Sequence, residues 1–204
     1  MSSLKVPPQT GALRVLIAED ETLIRMDLVE TLVELGFVIT AAVANGQAAV
    51  DSALEDPPDV VLMDISMPVR DGMSAAEQIM GAGIAPVVML SAFAEVGLLD
   101  RAASAGVFGY LVKPFRAIEL TPALRMAVSR WKEFTDLENE IKQLRERRES
   151  ASVVERAKLI LMSEGLTEGQ SFSLLRRWAM DRRQTISEVS AQVVASGIPP
   201  DGVQ

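Results

Sequence analysis

Apolar and polar positions alternate in a repeating order along the first two thirds of the chain. Short β-branched apolar runs stand at 14–18, 38–43, 60–63, 87–90 and 108–112, roughly 20–25 residues apart. Between them lie stretches of helical period. Leu23, Ile24, Met26, Leu28, Leu32 and Leu35 form one of these, and Gly36 closes it. Strands alternating with helices predict βαβ units and a parallel sheet covered on both faces. Five repeats predict a flavodoxin-like, doubly wound (βα)5 domain over 14–130.

The pattern then changes. From Ala123 to Glu164 there is neither glycine nor proline, which predicts one long helix. Phe134, Leu137, Ile141 and Leu144 follow one another at coiled-coil spacing, flanked by Glu and Arg. Arg148 and Ala151 occupy the next two core positions, so the seam is short. Residues 131–152 are therefore read as a helical linker able to dimerise, the alternative being a solvated helix. Beyond Gly165, Thr167-Glu168-Gly169-Gln170 reads as a capping box opening a helix to about Met180. Thr185-Ile186-Ser187-Glu188 reads as a second box, whose helix stops at Gly197 ahead of Pro199 and Pro200. Two such helices make a marginal core alone. The end of the long helix is expected to join them in a small three-helix bundle, a second domain over 136–197.

Composition narrows the chemistry. The absence of cysteine and histidine removes disulfides, thiolate metal sites, Ser-His and Cys-His nucleophiles and HExxH zinc chemistry. A cysteine-free chain with no long apolar run, and with no apolar stretch in Met1–Thr10, fits a cytoplasmic protein. The net charge of −8 is uneven. Residues 1–131 hold 9 basic and 16 acidic side chains, whereas 132–204 hold 11 and 12. The acidic first domain is a poor nucleic-acid binder.

Charged residues stand where the apolar runs stop. Glu19 and Asp20 follow the first run, Asp64 the third, Ser91 the fourth and Lys113 the fifth. In an open parallel sheet these carboxyl ends form the ligand crevice. Mg²⁺ takes one or two carboxylates, carbonyls and waters. Asp20 and Asp64 can supply the carboxylates, Glu19 can orient a water, and the Ser66 carbonyl can take a further position. Lys113 and Ser91 can meet phosphoryl oxygens. A haloacid-dehalogenase-type phosphatase would want an Asp where Ser66 stands. A dinucleotide fold would want a glycine-rich first turn in place of Glu19-Asp20-Glu21-Thr22.

Five motifs in order carry a resemblance. They are Leu16-Ile17-Ala18-Glu19-Asp20-Glu21, Met63-Asp64-Ile65-Ser66-Met67-Pro68, Asp71-Gly72, Ser91-Ala92 and Tyr110-Leu111-Val112-Lys113-Pro114-Phe115. Residues 14–130 resemble the receiver domain of two-component response regulators. The resemblance implies that Asp64 accepts a phosphoryl group from a sensor histidine kinase, with Glu19 and Asp20 binding Mg²⁺. It further implies that Lys113 and Ser91 sense the phosphate, that Tyr110 turns inward on activation, and that the chain is no enzyme. Phe93, two residues past Ser91, stands where access of water to the phosphate is set.

In the second domain Arg176, Arg177, Arg182 and Arg183 surround Trp178. Guanidinium planes and an aromatic suit unstacked RNA bases better than duplex DNA. Arg176 and Arg183 share a face if the helix runs through Asp181. Val154-Glu155-Arg156-Ala157-Lys158, Gly165-Leu166-Thr167-Glu168 and Leu175-Arg176-Arg177-Trp178-Ala179-Met180-Asp181-Arg182-Arg183 resemble the ANTAR domain of transcription antiterminators. That likeness implies hairpin RNA as ligand and adds Lys158 to the candidate contacts. Serine stands at 171 and 190, where the family usually has alanine. The expectation is a phosphorylation-activated antiterminator, a homodimer when phosphorylated. The rival readings are a protein-interaction output module in place of RNA binding, and a duplex-DNA binder.

Overall fold

A computed structural model of the protein describes residues 11–92 and 107–196. Phe93, Gly197, Pro199 and Pro200 lie outside the described residues. The chain divides into two units, Met1–Thr135 and Asp136–Gln204.

Five parallel strands build the first unit: β1 (Arg14–Ala18), β2 (Val38–Val43), β3 (Val60–Asp64), β4 (Val87–Ser91) and β5 (Gly109–Val112). They lie in the order β2-β1-β3-β4-β5. Every residue of β3 and β4 is buried, as the unbroken apolar runs require of central strands covered on both faces. Side chains alternate across the sheet. Leu16, Val61, Met63, Val87 and Met89 therefore enter one core with α2 (Gly46–Glu55) and α3 (Gly72–Gly81). Val15, Ile17, Val60, Leu62, Val88 and Leu90 enter the other. There they meet Leu28 and Leu32 of α1 (Thr22–Glu34) and Leu120, Leu124 and Ala127 of α4 (Ala117–Ser163). Truncating one such leucine to alanine costs about 2–5 kcal/mol.

Loop chemistry fixes where the helices start. Asn45 and Asp71 cap α2 and α3 by accepting from the backbone N–H groups of Ala48 and Ser74. Gly72 is required by close approach, since a Cβ there would collide with the Asp64 carbonyl oxygen. The chain thus folds tightly over the end of β3, and the Gly72 N–H donates to the Ile65 carbonyl at 2.9 Å.

α4 runs for 47 residues with Pro122 in its first turns. Its apolar seam is solvent-facing: Phe134, Leu137, Ile141 and Leu144 are 40–56% exposed. Phe134 also joins an aromatic cluster, 5.8 Å from Phe108 and 6.0 Å from Trp131 between ring centres.

In the second unit, Ala157 and Leu161 of α4 pack with α5 (Glu168–Arg182) and α6 (Ile186–Ser196). The partners are Leu174, Leu175, Trp178, Val189 and Val193. The three-helix bundle is therefore present. Both capping boxes form: Thr167 and Gln170 bond reciprocally, as do Thr185 and Glu188. Gly165, at φ +95°, ends α4 in the left-handed conformation that glycine tolerates best.

Two serines are fully buried in this bundle. Ser171 donates to the Thr167 carbonyl at 3.0 Å, whereas the Ser190 hydroxyl has no partner among the described residues. An unsatisfied buried hydroxyl costs about 1–3 kcal/mol. Ser190→Ala is thus expected to stabilise the bundle by about 1 kcal/mol, read as a higher urea midpoint. Ser171→Ala, which loses a formed bond, should not do so. Equal shifts for the two variants would refute this account.

Candidate functional site

The site follows from strand register. Ala18 pairs with Met63, Asp64 with Leu90 and Ser91 with Val112, so the carboxyl ends of four strands lie side by side. Glu19, one residue past β1, is anchored by its N–H donating to the Val43 carbonyl at 3.0 Å. Lys113, one residue past β5, is anchored by its N–H donating to the Ser91 carbonyl at 2.7 Å. The Lys113–Pro114 bond is cis.

The Lys113 ammonium joins two carboxylates. Its Nζ lies 2.6 Å from Glu19 Oε2 and 2.9 Å from Asp64 Oδ1. Glu19 is completely buried and Asp64 nearly so. Carboxylate oxygens of Glu19, Asp20 and Asp64 all lie within 4.8 Å of one another. Such an all-oxygen set suits a hard divalent cation, and three clustered carboxylates exceed what one ammonium can neutralise. Ser91 is buried at the end of β4, while Ser66 sits exposed on the loop two residues after Asp64. Tyr110, opposite Met89 in the register, is half-buried against the α2/α3 side of the core. Glu19, Asp20, Asp64 and Lys113 are thus gathered at one point, and Ser91 lies beside them on the adjoining strand end.

A further residue supports the acidic pair. Arg25 Nη1 donates to the carbonyls of Glu19 at 2.5 Å and Asp20 at 3.2 Å. It therefore holds the peptide from which both carboxylates project. Sequence reading passed it over, although a cation in the opening turns of a helix runs against the helix dipole and is a usable signal. The loop after Asp64 turns tightly at Val69, whose φ is +67°, where the Arg70 N–H donates back to the Pro68 carbonyl at 2.7 Å. That conformation is costly for a β-branched residue. Arg70 secures the loop further through Gln47, Gln78 and the Ser74 carbonyl.

In the second unit two of the expected RNA contacts, Lys158 and Trp178, are buried. Lys158 is buried, its ammonium 2.6 Å from Glu168 and 2.9 Å from Glu155, so it ties α4 to α5. Its hydrogen bond to Glu168, then that to Glu155, raises its pKa above the usual lysine value. Trp178 is only 8% exposed and packs in the bundle core. An amphipathic side chain in sequence gives no sign of which way it faces, and for Trp178 a place in the core is as strong an expectation as a stacking platform. Arg176 and Arg177 are exposed on α5. The helix does run through Asp181, and Arg183 caps it in a left-handed conformation, φ +52°. Arg182 is half-buried and donates to Gln192 Oε1 at 3.2 Å.

Titration of the first site has a definite sign. Burial above all pushes the Glu19 carboxyl above its ordinary 4.5, aided by the charge of Asp64 and opposed by the Lys113 hydrogen bond. Burial opposes the Lys113 charge, but the hydrogen bonds and charges of Glu19 and Asp64 outweigh it and raise its pKa. For a carboxyl whose folded pKa is raised, the unfolded chain ionises first, so rising pH favours unfolding between the two pKa values. In metal-free protein Glu19 should therefore lower stability as pH rises from 4.5 through its folded pKa. Lys113 stabilises below 10.5, and that contribution is lost as pH rises through its own raised value. Urea midpoints across pH, compared with Glu19→Gln, measure the first effect. A difference between the two proteins that does not change with pH would contradict the burial argument.

Comparisons with known proteins agree with both halves of the chain. Residues 15–125 match the response regulator receiver domain family, and residues 142–194 match the ANTAR domain family. The chain is 49% identical over 190 residues to the transcriptional regulatory protein PdtaR of Mycobacterium tuberculosis, covering 92% of this chain and 93% of that one. The crystallised receiver domain of the sensor histidine kinase PA1611 from Pseudomonas aeruginosa holds a magnesium ion in its active-site cleft. It is 34% identical, with a TM-score of 0.52 over 58% of this chain and 98% of that one. The CheX–CheY–BeF3–Mg complex from Borrelia burgdorferi is matched at 28% identity and a TM-score of 0.52, covering 55% of this chain and 86% of that one. With a receiver fold, its acidic cluster and an ANTAR match in one sequence, the chain belongs to the two-component response regulators that carry an ANTAR output domain.

Proposed function

We propose that this response regulator is switched by phosphorylation of Asp64 and acts as a transcription antiterminator by binding hairpin RNA. The observation that carries the reading is the Lys113 ammonium held between Glu19 and Asp64, with Asp20 beside them. In the proposed step an Asp64 carboxylate oxygen bonds to the phosphorus of a sensor kinase's phosphohistidine. The phosphorus–nitrogen bond breaks, and its electron pair leaves with the imidazole. Glu19, Asp20, Asp64 and the Ser66 carbonyl are the proposed ligands of Mg²⁺, which would screen the incoming dianion. Lys113 then exchanges a carboxylate partner for a phosphoryl oxygen, and Ser91 donates to another. Movement of Ser91 and Tyr110 carries the change to the outer face of β4 and β5 as a shift of populations. The chain is itself the phosphoryl acceptor and needs no enzymatic activity on another substrate.

The proposed division is a receiver at 14–130, a helical linker at 131–152 and an RNA-binding ANTAR domain at 136–197. Its proposed setting is the cytoplasm; no described helix is long and apolar enough to cross a membrane. The exposed seam Leu137, Ile141 and Leu144 supports pairing with a second copy when phosphorylated. Arg176, Arg177 and Arg183 are exposed, and among the described residues none of them forms an ion pair. Unpaired guanidinium groups favour a polyanion over a docking protein, which would need carboxylates placed against each.

Asp64→Asn should abolish labelling by phosphorylated kinase or acetyl phosphate, followed by phosphate-affinity electrophoresis; persistent labelling would remove Asp64 from its role. Arg176→Ala with Arg183→Ala should weaken hairpin RNA binding. It should also flatten the dependence of log K on log salt by about 0.7 for each phosphate no longer neutralised. Unchanged affinity and slope, or equal competition by duplex DNA, would favour a different output.

A further inference from the structure

One face of α5 is hollow. Leu166, Thr167, Gly169, Gln170, Ser173 and Leu174 line an open groove of about 650 Å³, and Arg177 stands at its end. These positions recur every three or four residues, so they follow a single helical face. Two of its lining residues, Gly169 and Ser173, are small. Nothing local demands glycine at 169. Its φ is outside the left-handed range, and a Cβ there would meet no atom within 4 Å. Glycine is also a poor helix former. What it preserves is room.

The lining has a chemical character. Leu166 and Leu174 offer apolar wall, the latter only 6% exposed. The N–H and the hydroxyl of Thr167 both donate to Gln170 Oε1 at 2.9 Å. Those two bonds use the carboxamide oxygen and do not engage its NH2. Ser173 lines the same groove, and Arg177 is exposed without an ion-pair partner among the described residues. An apolar wall, polar side chains and one unpaired guanidinium match an unstacked nucleobase together with its phosphate. A partner helix would lay aliphatic side chains over Gln170 and Ser173 and leave them without hydrogen bonds.

We propose that this groove seats a single unpaired loop base of the RNA, with Gly169 keeping the floor open and Arg177 holding the adjoining phosphate. The proposal rests on the RNA-binding reading above and adds a base-specific seat to it. The test uses the full chain with Mg²⁺ and beryllofluoride. The probe is the tightest binder selected from stem–loop RNAs with randomised loops. Gly169→Leu fills the groove in open space, so its melting temperature should equal or exceed that of the parent. Its affinity for the probe should fall about tenfold or more, the scale of losing one hydrogen bond to a charged group. Gly169→Ala should show a milder loss. Abasic substitution at one loop position should cost the parent a similar factor and cost Gly169→Leu almost nothing further. Parent-like affinity of Gly169→Leu would overturn the seat while leaving RNA binding standing. So would abasic penalties that are equal in both proteins at every loop position. Failure of the parent to bind any member of the library would overturn both.

Discussion

A single ammonium placed between buried carboxylates organises the receiver unit. Lys113 bridges Glu19 and Asp64 across three strand ends, and Asp20 completes a cluster whose negative charge it offsets only in part. Burying ionised carboxylates is costly unless each is paired. The arrangement therefore depends on the lysine at rest and has unspent attraction for a cation. The proposed phosphoryl group would change the partner that the lysine prefers. The resting contact and the proposed switch are one electrostatic balance seen at two loadings.

The remainder of the unit serves to hold that balance in place. Alternating side chains fill two cores on opposite faces of the sheet, which makes the strand ends rigid. Three devices then locate the loops on that frame. Gly72 lets the chain fold against the Asp64 carbonyl, Arg70 ties the loop to α2 and α3, and Arg25 grips the carbonyls beneath Glu19 and Asp20. The strained turn at Val69 is tolerated because these contacts over-determine it.

The ANTAR bundle is built on a different principle. Its core is small, so local punctuation matters more: two capping boxes, a left-handed glycine and the Lys158 link to Glu155 and Glu168 define the ends. Lys158 and Trp178 are buried in the bundle, whereas Arg176 and Arg177 of α5 are exposed. The long helix supplies apolar side chains to both units while leaving its middle seam, Leu137 to Leu144, facing water.

The amino-acid pattern alone determined the five strands within a residue or so, their parallel arrangement, the capped helices and the acidic strand ends. These are legible because burial imposes periods of two and of about 3.6 on the chain, and because caps need particular side chains at fixed spacing. The same logic picked out Glu19, Asp20, Asp64 and Lys113, since charge at the end of a buried strand is costly unless a ligand or a partner meets it. Contacts between positions distant along the chain were decided only in three dimensions. Lys113 meets Glu19 across 94 residues of sequence, Arg25 reaches back to carbonyls that any sequence possesses, and Lys158 turns inward to Glu168 instead of outward to solvent. Spacing can say that a side chain is charged or amphipathic. Which neighbour satisfies it depends on the packing of elements that the local pattern does not encode.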